Sequence, residues 1–327
     1  MNPFRYQRAV DPASAVQATG TDSKFLAGGT NLIDLMKNGV EKPSALIDIS
    51  RLALAQIEGL PDGSLRIGAT ARNSDTANHP LVRQRYPLLS RAILSGASPQ
   101  LRNLATNGGN LLQRTRCPYF MDTGFPQCNK RKPGSGCAAR EGFNRMHAIL
   151  GASEQCIAVH PSDMCVALSA LDATIRVRGR QGERTIPIGD FHRLPGDRPE
   201  VDTNLQPGEL ILSIDLPPSR YGARYEYLKI RDRASYEFAL VSVAAALELD
   251  GNVIRSARIA LGGVAHKPWR ALEAEQMLTG KTMSVDVFRA AGERAIEGAR
   301  PYRENAFKVE MAKRAVTRAL STAGGIA

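Results

Sequence analysis

All five cysteines of the chain fall between positions 117 and 165. An odd number confined to one stretch is not the pattern of a disulfide framework and points to metal ligation instead. Cys117, Cys128, Cys137 and Cys156 are separated by 10, 8 and 18 residues. Zinc ribbons and fingers use close C-x-x-C pairs, because one tight knuckle then supplies two ligands. No such pair is present, and neither is a ferredoxin run. Wide gaps suit a loop that wraps something larger than one ion. Gly124, Gly134, Gly136, Pro118, Pro126 and Pro133 give that loop sharp turns and little helix. Spacing alone leaves an iron–sulfur cluster, zinc and plain buried thiols open. Cys165 sits between Met164 and Val166 in an apolar run and reads as a small buried core residue.

Two glycine pairs carry a second kind of chemistry. The first lies in Leu26-Ala27-Gly28-Gly29-Thr30-Asn31-Leu32-Ile33-Asp34. Glycines let successive backbone N–H groups turn toward one point without a Cβ clash. A helix start behind them adds partial positive charge, and the combination holds a phosphate. The second is Thr106-Asn107-Gly108-Gly109-Asn110, with Arg102 one turn earlier. A single Gly-Gly before a helix is more often just a turn. Two in one domain could clamp the two phosphates of a dinucleotide. No G-x-G-x-x-G follows the first strand and no Walker lysine follows either pair, so neither a Rossmann scheme nor a nucleoside triphosphatase is supported.

The elements that must place these groups are readable in outline. Residues 24–30 read as a strand ending in the first Gly-Gly. A helix follows, with Leu32, Leu35 and Met36 on one face and Gly39 at its stop. Residues 44–50 and 64–70 read as further strands, the group forming a small parallel layer. Residues 73–96 look helical in two pieces, broken by Pro80 and Pro87. Residues 163–170 read as a short buried helix. Strands are expected at 173–179, 183–189 and 209–217, with a polar loop at 192–208. A domain boundary falls near 217–222. Beyond it come a strand, a hairpin over 240–263 turning at Asp250-Gly251, and helices over 268–278, 284–299 and 305–320.

Composition sets the outer limits. With 327 residues, 43% hydrophobic and 23% charged, the chain has material for two or three domains. No apolar run is long enough to span a membrane, and residues 1–16 lack the apolar stretch of a secretory signal. The net charge is +11, but Arg51, Arg83, Arg102, Arg176 and Arg289 scatter along the chain rather than forming a block. That argues for a solvated surface or a docking face for an acidic partner chain, and against nucleic acid.

FLAGGTNLIDLMK, then LRNLATNGGNLL, HPSDMCVALSALDATIRV and YLKIRDRASYEFALVSVAAAL resemble the FAD-binding subunits of the molybdenum hydroxylases, the xanthine dehydrogenase family. The resemblance spans essentially the whole chain. It implies an α+β architecture: a vanillyl-alcohol-oxidase (PCMH) type FAD domain of two α/β subdomains over 1–220, then a C-terminal domain of antiparallel sheet and helical bundle over 221–327. It implies FAD held at its diphosphate by residues 26–34 (Leu26 to Asp34) and by Thr106, Gly108, Gly109 and Asn110. Asp163 would accept from ribityl or ribose hydroxyls, although an N-cap role for it is physically as good. Lys229 would stand near the flavin ring, against the plainer reading of a strand lysine facing water. Most such subunits pass directly from the second glycine pair to the HPSD-like segment. The insertion here, about 114–157, resembles the [4Fe-4S]-containing subunits of periplasmic aldehyde oxidoreductases. By that likeness Cys117, Cys128, Cys137 and Cys156 would hold a [4Fe-4S] cluster.

The implied function is electron transfer from a large molybdenum-cofactor subunit and a small [2Fe-2S] subunit, through FAD, to an external acceptor. Aldehyde oxidation would occur on the large partner, so no catalytic base is assigned here; His147 and His160 lack a nucleophile to serve. The likeness implies a periplasmic location by co-export with a signal-bearing partner, a cytoplasmic one being the alternative. The rivals are the flavin subunit of a 4-hydroxybenzoyl-CoA reductase-like enzyme and a non-enzymatic, zinc-stabilised basic binding module.

Overall fold

Three sheets organise the chain in the computed structural model, which describes residues 1–326. The first is small and parallel, with Ala45–Asp48 between Arg5–Arg8 and Ser23–Leu26. Leu46 and Ile47 of the central strand are buried, as a strand covered on both faces requires. The helix Leu32–Lys37 follows the first Gly-Gly and buries Leu35 and Met36. Arg5–Arg8 escaped the sequence reading because all four of its residues are exposed and no alternation marks it.

The strand expected at 64–70 forms as Leu65–Gly68 but not in that layer. It joins a five-stranded antiparallel sheet in the order Ile57–Gly59, Leu65–Gly68, Leu210–Leu216, Thr174–Gly179, Gly182–Pro187. Its partner Leu210–Leu216 lies far along the chain, where local pattern cannot reach. Arg66 bonds both carboxylate oxygens of Asp215 across that pair, at 3.0 and 2.8 Å. Leu65, Ile67, Ile175, Val177, Ile214 and Leu216 form the core beneath it.

Helices fill the space between this sheet and the C-terminal one. Residues 73–96 make three helices, not two: Asn73–Asn78, Pro80–Arg85 and Pro87–Ser95. Each proline takes the first position of a new helix, where its missing N–H costs nothing. Asp163–Ala170 is buried at all eight positions, the mark of a central helix with no solvent face.

The C-terminal sheet is antiparallel, in the order Trp269–Arg270, Val253–Gly262, Val241–Asp250, Tyr225–Ile230. Asp250 pairs with Val253, so the turn is Gly251-Asn252, one residue later than expected, with Gly251 at φ 57°. Trp269–Arg270 is a short strand inside a stretch expected to be helical; the helix there is Leu272–Leu278. With Val285–Ala295 and Phe307–Gly324 it covers one sheet face over a separate core.

Between Leu112 and Pro161 there is one regular element, the short helix Pro118–Met121. Turns and a bridge between Cys128 and Cys137 fold the rest. This loop is fastened to the C-terminal part. Asn144 and Glu304 exchange bonds at 3.1 and 3.0 Å. Asn305 Nδ2 donates to the carbonyls of His147 and Ala148, both at 3.2 Å.

Candidate functional site

The two glycine loops meet back to back. A Cβ on Gly28 would lie 2.0 Å from the carbonyl oxygen of Leu104, just before the second pair, so only glycine permits this approach. Gly29 takes φ 72°, a left-handed conformation that also favours glycine. Among the described residues the N–H groups of Gly28, Gly29, Thr30 and Asn31 donate to no protein acceptor. They form an open run of donors ahead of the helix Leu32–Lys37.

The second loop is built differently. Its amides are occupied: Asn107 N–H on Ala71, Gly108 N–H on Ala69 at 2.8 Å, and Gly109 N–H on Thr106 Oγ1 at 3.3 Å. A Cβ on Gly108 would press on Ala69 at 3.3 Å, so a larger residue there needs a small local shift. What this loop offers is bare surface. Both loops line one cavity of about 600 Å³. Leu26, Ala27, Gly28, Gly29, Thr30, Asn31, Leu32, Thr106, Gly108 and Gly109 face it. Ile33, Asp34 and Asn110 do not. Asp34 pairs with Arg116 at 3.1 Å, and Asn110 bonds Asn73, Gln113 and Ser162.

A buried ionic network that the sequence did not announce backs part of the cavity wall at Glu41, Arg114 and Asp202. Arg114 bridges Asp202 at 2.7 Å and Glu41 at 2.8 Å. Lys130, fully buried, donates to Asp202 and to the Pro199 carbonyl. Burial opposes ionisation of Asp202, but the Lys130 and Arg114 charges outweigh it and hold its pKa well below the usual carboxylate range. These residues come from four separated segments, and 192–208 reads only as a polar loop.

A second cavity, of about 250 Å³, adjoins the first at His160, which lines both. Asp163 forms part of its wall and is 8% exposed. Tyr227 Oη donates to Asp163 Oδ1 at 2.6 Å, and Lys229 Nζ to Oδ2 at 2.8 Å. Lys229 therefore neither faces water nor lines the cavity; it stands behind Asp163. The helix cap is Ser162, whose side chain accepts from Cys165 N–H, so the N-cap reading of Asp163 is corrected.

Cys117, Cys128, Cys137 and Cys156 line one small chamber together with Lys130 and His147. Burial pushes the Cys117 thiol up to about 12 and Cys156 up to about 11, the Lys130 charge opposing the latter. Thr115, Cys117 and His147 also line the second cavity, so they separate the chamber from the space beside Asp163. Cys165 lies apart, fully buried in its helix, its thiol pushed up to about 12 by burial.

A family described as the FAD binding domain in molybdopterin dehydrogenase matches residues 2–219. Another, the CO dehydrogenase flavoprotein C-terminal domain, matches residues 225–323. The chain is 52% identical to the aldehyde oxidoreductase FAD-binding subunit PaoB of Escherichia coli, over 99% of both chains. This chain belongs to the FAD-binding subunits of the molybdenum hydroxylases. It is thus a subunit of an oxidoreductase, which removes the non-enzymatic reading. Members of this family share the fold widely. The chain is similar to the glyceraldehyde dehydrogenase medium chain of Sulfolobus acidocaldarius, 30% identical over 88% of this chain and 84% of that one. The solved carbon monoxide dehydrogenase of Hydrogenophaga pseudoflava matches at a TM-score of 0.78 and 27% identity, over 99% and 98% of the chains.

The site fits the flavin that this family binds. Four unspent backbone donors face the first cavity. Asn31 Nδ2, His160 Nε2 and His192 Nδ1, all on residues lining it, are buried without a partner. Buried polar atoms are rarely left so unless a guest or water completes them. The cysteine chamber brings four cysteine side chains of one loop to a common wall. All four sulfurs are free of disulfides, and Ala158 N–H donates to Cys156 Sγ at 3.5 Å.

Proposed function

We propose that this chain is the FAD and [4Fe-4S] electron-transfer subunit of a molybdenum-dependent aldehyde oxidoreductase. It would relay electrons from a large molybdenum subunit and a small [2Fe-2S] subunit to an external acceptor. The aldehyde reading is supported by 52% identity to an aldehyde oxidoreductase FAD-binding subunit along the whole chain. The cluster reading is carried by one observation: four cysteines from a wide span converge on one chamber, and one of them also walls the cavity beside Asp163.

Bound flavin would supply storage for one or two electrons. The work of this chain is to fix it in place. The N–H groups of Gly28 to Asn31, with Thr30, would hold the diphosphate, helped by the positive end of the helix behind them. Thr106 and Gly109 would close on it from the other side by contact rather than by free amides. Asp163, kept in place by Tyr227 and Lys229, would accept hydrogen bonds from hydroxyls in the second cavity. Arg114 and Lys130 are neutralised by Glu41 and Asp202, so the wall fixes shape without adding loose charge. Cys117, in the wall shared by the two spaces, would bring the cluster close to the flavin. The site of action is read as the periplasm, reached with a signal-bearing partner; fractionation of cells expressing the assembled enzyme tests that.

The cluster is tested by Cys128→Ser in the assembled enzyme. The expected result is less iron and weaker broad visible absorbance, with FAD largely retained. Unchanged iron would remove Cys128 from the ligand set.

A further inference from the structure

Cys117 and His147, with Thr115, line both the second cavity and the cysteine chamber and so form the partition between them. Across that partition His147 Nε2 lies 3.1 Å from Cys117 Sγ. The residue is 3% exposed, so its ring has little access to bulk solvent. The backbone of His147 is held firmly. Its carbonyl accepts from Asn305 Nδ2 at 3.2 Å and Lys308 Nζ at 2.8 Å, and its N–H donates to Asn144 at 3.0 Å. A neutral imidazole carries its proton on one nitrogen only. Nδ1 is buried with no partner. A buried N–H with nothing to donate to is costly, and a thiolate is a ready acceptor, so the proton belongs on Nε2, facing the sulfur. Of the four chamber cysteines, Cys117 alone receives a side-chain donor among the described residues.

An N–H bond to a ligand sulfur draws off negative charge and favours the more reduced state of a cluster. We propose that His147 is a positioning residue for electron transfer, its Nε2–H bonding the Cys117 thiolate and raising the reduction potential of the cluster bound there. The inference rests on the cluster reading above. It makes the partition an electrostatic control on the relay as well as a wall.

The test is a redox titration of the cluster's paramagnetic signal in the assembled enzyme, with iron and flavin content measured alongside. Wild type, His147→Gln and His147→Leu are compared. Glutamine retains an N–H donor; leucine does not. The leucine variant should keep its iron and shift to a more negative potential, with glutamine recovering part of the shift. Full iron with an unmoved potential in His147→Leu overturns the proposal. If that variant loses iron, wild-type enzyme grown on isotope-labelled histidine decides. The reduced cluster should show a nitrogen hyperfine coupling that His147→Gln lacks, and its absence from the wild type overturns the proposal. A wild-type enzyme whose iron content leaves no cluster on this chain sinks the cluster reading itself, and iron analysis tells the two failures apart.

Discussion

Gly28 shows how much one missing atom can carry. Its α-carbon abuts the Leu104 carbonyl, and a methyl there would sit at 2.0 Å from the oxygen. Gly28→Ala should push the two glycine loops apart, costing about 1–3 kcal/mol and most of the bound FAD; thermal unfolding and flavin content of the purified enzyme check both. Asp163 carries a different burden. Lys229 beside it has a side chain only 4% exposed. Asp163→Asn strands that ammonium in a dry site, at about 3 kcal/mol. Adding Lys229→Met should recover much of the loss, which denaturant unfolding of the single and double variants would show. The glycine pairs stood out because residue type itself limits what such positions can do, whereas Asp163 was singled out only by the family resemblance. Asp202, Arg114 and Lys130 were not. Each is an ordinary charged residue in sequence, and only the closure of separated segments makes them one buried network.

At the scale of elements, the helix Asp163–Ala170 links the halves of the site. Its cap, Ser162, also donates from Oγ to Asn110 Oδ1 at 2.6 Å, tying the helix start to the second glycine loop. Ser162→Ala should cost about 1 kcal/mol from the lost cap and loosen that loop, seen as a lower melting temperature with weaker flavin retention. A variant that melts and binds like wild type would deny the link. This helix was readable to the residue from its apolar run, a local signal, although its cap is Ser162 and not the Asp163 that the sequence offered. The strand Leu65–Gly68 was readable as a strand but assigned to the wrong layer, because sheet membership depends on a partner at Leu210–Leu216. Arg5–Arg8 left no signal at all: four exposed polar or aromatic residues have no buried face to alternate.

Over the whole molecule, buried histidines set the response to acid. Burial lowers His192 and His266 from 6.5 to about 4, the Lys130 charge adding to the effect on His266. Between those values the unfolded chain takes up protons that the folded chain refuses. Stability is therefore full above about pH 6.5 and falls as pH drops toward 4. Each histidine removes about 1.4 kcal/mol per pH unit within that window. Denaturant unfolding at a series of pH values should show the loss beginning there; flat stability from pH 7 to 4 would contradict it. The chain's family was legible at this scale, because the order of four segments along its length is a long-range signal. The chamber was legible only as a set of four cysteines, not as a place. Anomalous diffraction at the iron edge from crystals of the assembled enzyme tests the account most directly. It should place a compact iron signal amid Cys117, Cys128, Cys137 and Cys156, with flavin diphosphate density against Gly28 to Asn31. A zinc signal, or none, in that chamber would contradict the relay assigned to this chain.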